Sequence, residues 1–455
     1  MSDARKRRNL QTKSSLGQTK QIPSPRDIRK FGMPQRKQTI LVFLALLLLF
    51  YSCLTTTIRN ESTLPYLRIK KTKYDKEYPL KSLGIKWTEQ SYDRGFWQRT
   101  KPYPLNYFKS DIFHREISCQ EPIDVSRLPD WQRRVPYVMI IGSQKGGTTA
   151  MAYYLYNHPS IPYVPSKELH FFDETMDQLT QKQPSIITMN GTQVLHMYLN
   201  TAVAKDVSLE KLQQEQHLHL LDATPNYLFV SDRTPKRIFC ASPWVKLLAI
   251  LRNPVDRVWS QYHMQKNHDY AEYVDSLKKD PQSTKAPPRF LTFEEYIDLD
   301  MKILKELGII LPNHGSSSSG SAAFHKYSGS LKEYKAWQTY TKLGLNSPLG
   351  RGLYSIQLRH WFEAMEEFNK PREDFMILQT ENMLQNSSEV YNEVLQFLNL
   401  PQHELKKFSV IHKTNFGTIP EEMKTETRKR LEDFYRPYNR QLEDLLGPAW
   451  KNVWE

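Results

Sequence analysis

Short apolar runs alternate with amphipathic stretches through most of the chain. Tyr137-Val138-Met139-Ile140-Ile141, bounded by Pro136 and Gly142, has the length and β-branched content of a buried strand rather than a helix. The same pattern gives strands at His217–Leu221, Trp244–Leu251 and Asp374–Gln379. Between and after them, Ala150–Tyr156, Val255–Met264 (with Pro254 at its first position) and Glu421–Leu446 read as helices. In the last, Leu431, Phe434, Tyr435, Tyr438 and Leu442 recur near helical spacing and form a core-facing stripe. Strands alternating with helices predict an α/β fold, a parallel sheet covered on both faces. The pattern breaks between Lys266 and Tyr327, where Pro287-Pro288 and the run Gly315–Gly320 mark a mobile insertion around 268–327.

The N-terminal part follows another pattern. Ile40–Ile58 is nineteen residues without a charge, which at ~1.5 Å per residue spans the hydrocarbon core of a bilayer. Residues 1–39 hold eleven Lys/Arg and two Asp, or +9 of the formal +14. The basic balance is therefore mostly a tail property, and it is no argument for nucleic acid. Tail charges of that size favour a cytosolic N-terminus. The expected organisation is a basic cytosolic tail (1–39), a single transmembrane signal anchor (40–58), a partly ordered stem (59–134) and a luminal domain (135–455). Asn-x-Ser/Thr triplets at Asn60, Asn190 and Asn386 agree with a lumen. Of the three cysteines, Cys53 lies in the apolar segment, leaving Cys119 and Cys240 as the pair able to bridge.

Chemistry enters after the first strand. Gly142-Ser143-Gln144-Lys145-Gly146-Gly147-Thr148-Thr149 connects that strand to a helix. Glycines let backbone N–H groups approach an oxyanion, the helix start adds partial positive charge, and a lysine and hydroxyls point inward. The arrangement is P-loop-like, but a nucleotide triphosphatase loop needs its lysine after the last glycine. Here Lys145 precedes Gly146-Gly147, so a kinase-like reading fails. The order Gly-x-x-Lys-Gly-Gly-Thr-Thr resembles the 5′-phosphosulfate loop of sulfotransferases, which bind 3′-phosphoadenosine 5′-phosphosulfate (PAPS).

A second anchor is Arg252, at the end of the third strand, with Ser260 two turns into the following helix. Ligands of open α/β sheets bind beyond the carboxyl ends of strands, and arginine's planar fork suits a phosphate. LLAILRNPVDRVWSQY is similar to the family's 3′-phosphate segment. Together with KELHFFD at Lys167–Asp173, RGLY at Arg351–Tyr354 with Trp361, and the C-terminal helix ending at Leu446-Gly447, these patches resemble the Golgi glycan sulfotransferases, heparan sulfate branch foremost, from Pro136 to Trp450.

The resemblance implies the sulfotransferase fold, a Golgi type II membrane location, PAPS as co-substrate, 3′,5′-ADP as product, no metal, and an anionic or neutral glycan as acceptor. It assigns donor binding to Ser143, Gln144, Lys145, Gly146, Gly147, Thr148, Thr149, Arg252 and Ser260, with Lys413 and Thr418 in a late loop closing over the adenosine. It places the acceptor-activating base at Glu168, with His170 and Asp173 beside it. A carboxylate near the reacting atom is also what general base chemistry requires, and Lys145 would neutralise charge on the departing oxygen. Two departures bear on the acceptor. Asp222-Ala223-Thr224-Pro225 stands where heparan 3-O-type enzymes carry Glu-Lys-Thr-Pro, and KTNFGTIP at Lys413–Pro420 lacks their paired cysteines. Protein tyrosine or a small alcohol is the alternative acceptor, and a non-catalytic glycan-binding membrane protein the alternative class. Arg351 serves either the fold or the acceptor side. Oligomeric state is not legible here.

Overall fold

The computed structural model describes residues 118–119, 121–182, 188–280, 290–310, 327–343, 346–405, 407–408 and 422–454. The chain divides into two compact units, 1–76 and 77–455, and every described residue belongs to the second. The expected tail and anchor (1–58), Asn60, Lys413 and Thr418 lie outside the described residues, as does the stem as far as residue 117. Among the described residues no helix is long and apolar enough to cross a membrane.

The apolar runs pair into one four-stranded parallel sheet. Its strands are β2 (Val138–Gly142), β4 (Leu221–Asp222), β5 (Lys246–Leu251) and β6 (Phe375–Gln379), in the order β4-β2-β5-β6. Residues 118–119 and 188–189 form a second parallel pair, β1 and β3. The helices in chain order are α1 (Thr148–Tyr156), α2 (Met176–Lys182), α3 (Gly191–Met197), α4 (Leu209–Gln214), α5 (Asn226–Phe229), α6 (Thr234–Ala241) and α7 (Pro254–Lys279). They continue as α8 (Phe293–Glu306), α9 (Leu331–Lys342), α10 (Tyr354–Glu367), α11 (Thr380–Gln385), α12 (Ser387–Phe397) and α13 (Thr425–Leu446).

All five residues of β2 are buried because each face of the sheet is covered. Met139, Ile141, Leu247, Ala249 and Leu251 pack with Ile238, Leu358 and Trp361 of α6 and α10. Val138, Ile140, Leu248 and Ile250 pack with Met151, Leu155, Val394 and Leu395 of α1 and α12. The alternation by one residue is the period-2 geometry of a strand. Burial of each Val, Leu, Ile or Met side chain among them contributes about 1.5–3 kcal/mol, and together they fix the register that aligns the carboxyl ends of β2, β5 and β6.

A third cluster joins α7, α8, α9 and α13 through Tyr262, Phe293, Trp337, Tyr340, Leu431, Tyr435 and Tyr438. It corrects the expected insertion around 268–327. The helix after β5 continues to Lys279 rather than stopping at Met264. Phe293–Glu306 is a further helix, started by a Thr292/Glu295 capping box, with Phe293, Tyr296, Ile297 and Leu304 in the core. The charged residues of α8 masked its apolar face in a linear reading. Segments 281–289 and 311–326 lie outside the described residues. In α13 the stripe holds at Leu431, Tyr435, Tyr438 and Leu442, while Phe434 is partly buried.

Part of the expected stem belongs to the domain. Ile123 N donates to Cys240 O at 3.0 Å and Gly191 N to Glu121 O at 2.8 Å. Cys240 is disulfide-bonded. Asn190 caps α3, its side chain accepting from Gln193 N at 2.9 Å.

Candidate active site

The loop 143–147 joins the centre of the sheet to α1. Gly146 is forced by close approach: a Cβ there would lie 2.2 Å from the Ile250 carbonyl oxygen of neighbouring β5. Gly147 takes the left-handed region at φ 95°, which glycine adopts without steric cost. Ser143 and Gly146 use their N–H groups on Ile250 O and Ser143 O, each at 2.9 Å. The N–H groups of Gln144, Lys145, Gly147, Thr148 and Thr149 make no hydrogen bond to a described residue, as the first turn of a helix leaves its donors unspent. The loop is a cluster of free donors at a helix N-terminus, the geometry of an anion cradle.

The expected inward direction fails at Ser143. Its hydroxyl donates to Ile250 O at 2.9 Å and the residue is 2% exposed. It is spent on pinning the loop to β5. Thr148 is buried, Thr149 and Gln144 are partly buried, and the Gln144 Oε1 has no partner.

Charge in the cradle is one-sided. Arg252 leaves the end of β5, and its Nη1 reaches the Lys145 carbonyl at 3.4 Å. Neither Lys145 nor Arg252 makes an ion pair with a carboxylate among the described residues. Burial lowers the Lys145 ammonium below its ordinary range, and Arg252, Arg257 and Lys167 lower it further. Arg257 is fully buried, with Nη1 on Gln261 Oε1 at 2.7 Å and Nη2 on Pro348 O. Ser260 is buried on the same helix. Cations gathered without an ion-pair partner among the described residues favour an anionic ligand.

Two residues to which the sequence reading gave no role in the site hold the loops together. Thr380, beyond β6, places its hydroxyl 2.6 Å from Gly146 O and 3.0 Å from Leu251 O, its one proton directed at the nearer carbonyl or shared between the two. Tyr354 OH donates to Arg252 O at 2.9 Å and lies 3.4 Å from Ser143 Oγ. Thr380 follows a strand, as do Ser143 and Arg252, and that shared position was the available signal.

The segment Lys167–Asp173 lies beside β4. Thr224 Oγ1 accepts from Leu169 N at 3.0 Å and donates to Asp222 Oδ1 at 2.6 Å. Asp222 is fully buried, and burial raises its carboxyl to about 6. Glu168 is exposed and paired with Lys167 Nζ at 2.6 Å and His170 Nε2 at 3.4 Å. His170 Nδ1 donates to Asp173 Oδ2 at 3.0 Å, and Asn226 Nδ2 donates to the same oxygen at 2.7 Å.

Burial would lower His170, but Asp173 and Glu168 outweigh it and push the imidazole up to about 11. Burial would likewise raise Glu168, yet His170 and Lys167 hold it down at about 2. The group is an imidazolium facing three carboxylates, Glu168, Asp173 and, at 3.6 Å, Glu174. Behind it, Arg237 donates to Phe172 O at 2.8 Å and pairs with Asp177 at 2.8 Å, which also takes Arg233 Nη2 at 2.6 Å. These buried pairs fix the backbone that carries Asp173.

The structure thus sets the 143–149 loop and Arg252 side by side at the carboxyl ends of adjacent parallel strands, with Lys167 close enough to affect Lys145. Sequence reasoning missed Asn226, Tyr354, Arg257 and Thr380 as members of this neighbourhood.

The chain is similar to human heparan sulfate glucosamine 3-O-sulfotransferase 6, at 25% identity over 70% of this chain and 73% of that protein. It is similar to the membrane-associated sulfotransferase kil1 of Dictyostelium discoideum, at 22% over 70% of this chain and 66% of that one. Among solved structures, a sulfotransferase from Alicyclobacillus acidocaldarius aligns over 70% of this chain and 98% of its own with 23% identity and a TM-score of 0.40. The family profile described as the sulfotransferase domain matches residues 136–436, an interval that holds β2, the loop after it, Glu168, Arg252 and most of α13; the chain belongs to the sulfotransferase domain family and is a sulfotransferase.

Proposed function

We propose that the protein transfers a sulfuryl group from PAPS to a hydroxyl or amine of a glycan, a heparan-sulfate-like polysaccharide foremost, with Glu168 as the base. The observation that carries this reading is the cradle itself. The N–H groups of Gln144, Lys145, Gly147, Thr148 and Thr149, without a partner among the described residues, and the cations Lys145 and Arg252, without a carboxylate partner among them, stand near a segment bearing an ionised, exposed carboxylate. A donor anionic at both ends fits that charge. Gln144, Lys145, Gly147, Thr148 and Thr149 would hold its 5′ end, and Arg252 with Ser260 its 3′-phosphate. Lys413 and Thr418 remain proposed for the adenosine side. PAPS supplies an activated sulfuryl group with 3′,5′-ADP as leaving group.

The chain's own part is positioning, charge neutralisation and proton removal. Glu168 takes the acceptor's proton as the acceptor oxygen or nitrogen bonds to sulfur in line with the departing oxygen. Lys145 and the free amides neutralise charge developing on that oxygen, the term that supplies most of the rate in such transfers. A carboxylate at about 2 is a weak base, so proton uptake requires the Lys167 and His170 contacts to give way as the acceptor enters. His170 and Asp173 hold Glu168 in place until then.

The glycan acceptor is supported by the relatives, whose names give heparan sulfate glucosamine as substrate. A Golgi type II arrangement, with Ile40–Ile58 as anchor, is supported by the disulfide at Cys240, since such bonds persist in oxidising compartments. Transfer of labelled sulfate from PAPS to a panel of glycans is the deciding experiment; no transfer to any of them would overturn the proposal.

A further inference from the structure

Arg351, in the turn between α9 and α10, differs from the structural arginines of this domain. Arg233 spends its whole fork on Asp177 and Asp232. Arg134 spends its own on the carbonyls of Leu212, Glu215 and Leu218, and Arg359 on Glu333, Ser328 and Gln441. Arg351 is anchored by Nε alone, donating to Asn346 O at 3.0 Å. Its guanidinium lies 4.4 Å over the Phe229 ring. The two Nη groups have no hydrogen-bond or carboxylate partner among the described residues, and the residue is partly exposed.

Position adds to this. Phe229 ends α5, whose first residue, Asn226, donates to Asp173. Asn226 and Phe229 are three residues apart and so share one face of α5, which puts the Phe229–Arg351 stack on the side of the helix that meets Asp173. It feels Asp173, and Glu174 feels it, yet it pairs with neither. An arginine stacked on an aromatic ring and held by one nitrogen is pre-oriented, with two parallel donors free for a carboxylate or sulfate.

Resting on the sulfotransferase reading, we propose that Arg351 is an acceptor-recognition residue that binds an oxyanion carried by the glycan, a uronate carboxylate or a sulfate, beside the group attacked. The enzyme would then select acceptors that already bear negative charge at a fixed distance from the site of transfer.

The test uses the full chain saturated with 3′,5′-ADP and calorimetry with three size-matched oligosaccharides: a sulfated heparin-type one, an unsulfated uronate-bearing one, and an unsulfated, carboxyl-reduced one. R351M, which keeps the contact with Phe229, is expected to weaken binding of the anionic oligosaccharides at least tenfold. It should leave the neutral one and 3′,5′-ADP unchanged, with R351K intermediate. Loss confined to the sulfated probe identifies a sulfate, and loss on both anionic probes a carboxylate. Unchanged affinity in R351M, equal loss on the neutral probe, weakened 3′,5′-ADP binding, or no anionic binding by the wild type would each overturn the assignment. If R351M is unstable, R351K decides alone, through the same comparison of anionic and neutral probes. Absence of sulfate transfer by the wild type sinks the catalytic reading separately, because these measurements require no turnover.

Discussion

The hydroxyl of Thr380 lies 2.6 Å from the carbonyl oxygen of Gly146, 234 residues earlier in the chain, and 3.0 Å from that of Leu251. One side chain beyond β6 therefore ties the loop after β2 to the end of β5. Thr380→Val removes that single donor and leaves the buried Gly146 carbonyl, its nearer acceptor, short of a partner. A cost of about 1–3 kcal/mol in unfolding free energy is expected, with weaker 3′,5′-ADP binding. Denaturant unfolding with unchanged midpoint would show that the contact carries no stability.

Gly146→Ala tests the approach of loop to sheet. A Cβ 2.2 Å from Ile250 O meets backbone, so the loop must move. Destabilisation of about 1–3 kcal/mol is expected, with loss of 3′,5′-ADP affinity greater than in Thr380→Val. Retained affinity by calorimetry would mean that the loop does not bind the nucleotide.

Lys145→Ala and Arg252→Ala each remove a charge that lacks a carboxylate partner among the described residues, so the folded state loses little. The nucleotide loses a charge-assisted contact of about 1.5–3 kcal/mol, roughly 10- to 150-fold in Kd. Unaltered 3′,5′-ADP binding in both variants would remove the cradle from the donor site.

Glu168→Gln keeps the shape and deletes the base. Sulfate transfer is expected to fall about 10²–10⁴-fold while 3′,5′-ADP binding persists. Undiminished turnover would take Glu168 out of its role.

His170 and Glu168 set opposite pH windows. His170 is pushed up to about 11 from an ordinary 6.5. Its contribution to stability is full below about 6.5 and fades as pH rises toward 11. Glu168, held at about 2 against an ordinary 4.5, contributes fully above about 4.5 and loses that contribution as pH falls toward 2. The gap in melting temperature between wild type and His170→Gln should therefore narrow as pH rises from 6.5 to 10. A gap that is constant or widens would show that His170 is not held as an imidazolium by Glu168 and Asp173.

Much of the framework is legible in the chain because it is local. Val138–Ile141 and Lys246–Leu251 announce strands by their apolar, β-branched content, and Pro254 announces a helix start. α8 is less legible because Glu294, Glu295, Asp298 and Lys302 interrupt its apolar face. Its Tyr296, Ile297 and Leu304 become a face only when wound at 3.6 residues per turn against α7 and α13. Ser143 shows the opposite error: its residue type suits a ligand, but its neighbour across the sheet, Ile250, takes the hydroxyl.

By itself the sequence determined the alternation of strands and helices, the glycine–lysine–threonine order of the loop, and the place of Arg252 at a strand's end, since each depends on neighbours a few residues apart. Only the tertiary structure decided that Thr380 and Tyr354 brace that loop, that Asn226 backs Asp173, and that Arg351 lies over Phe229 with donors to spare. Those relationships join residues from about 50 to more than 200 positions apart. The order of strands in a folded sheet brings them within hydrogen-bonding reach, and spacing along the chain does not encode it.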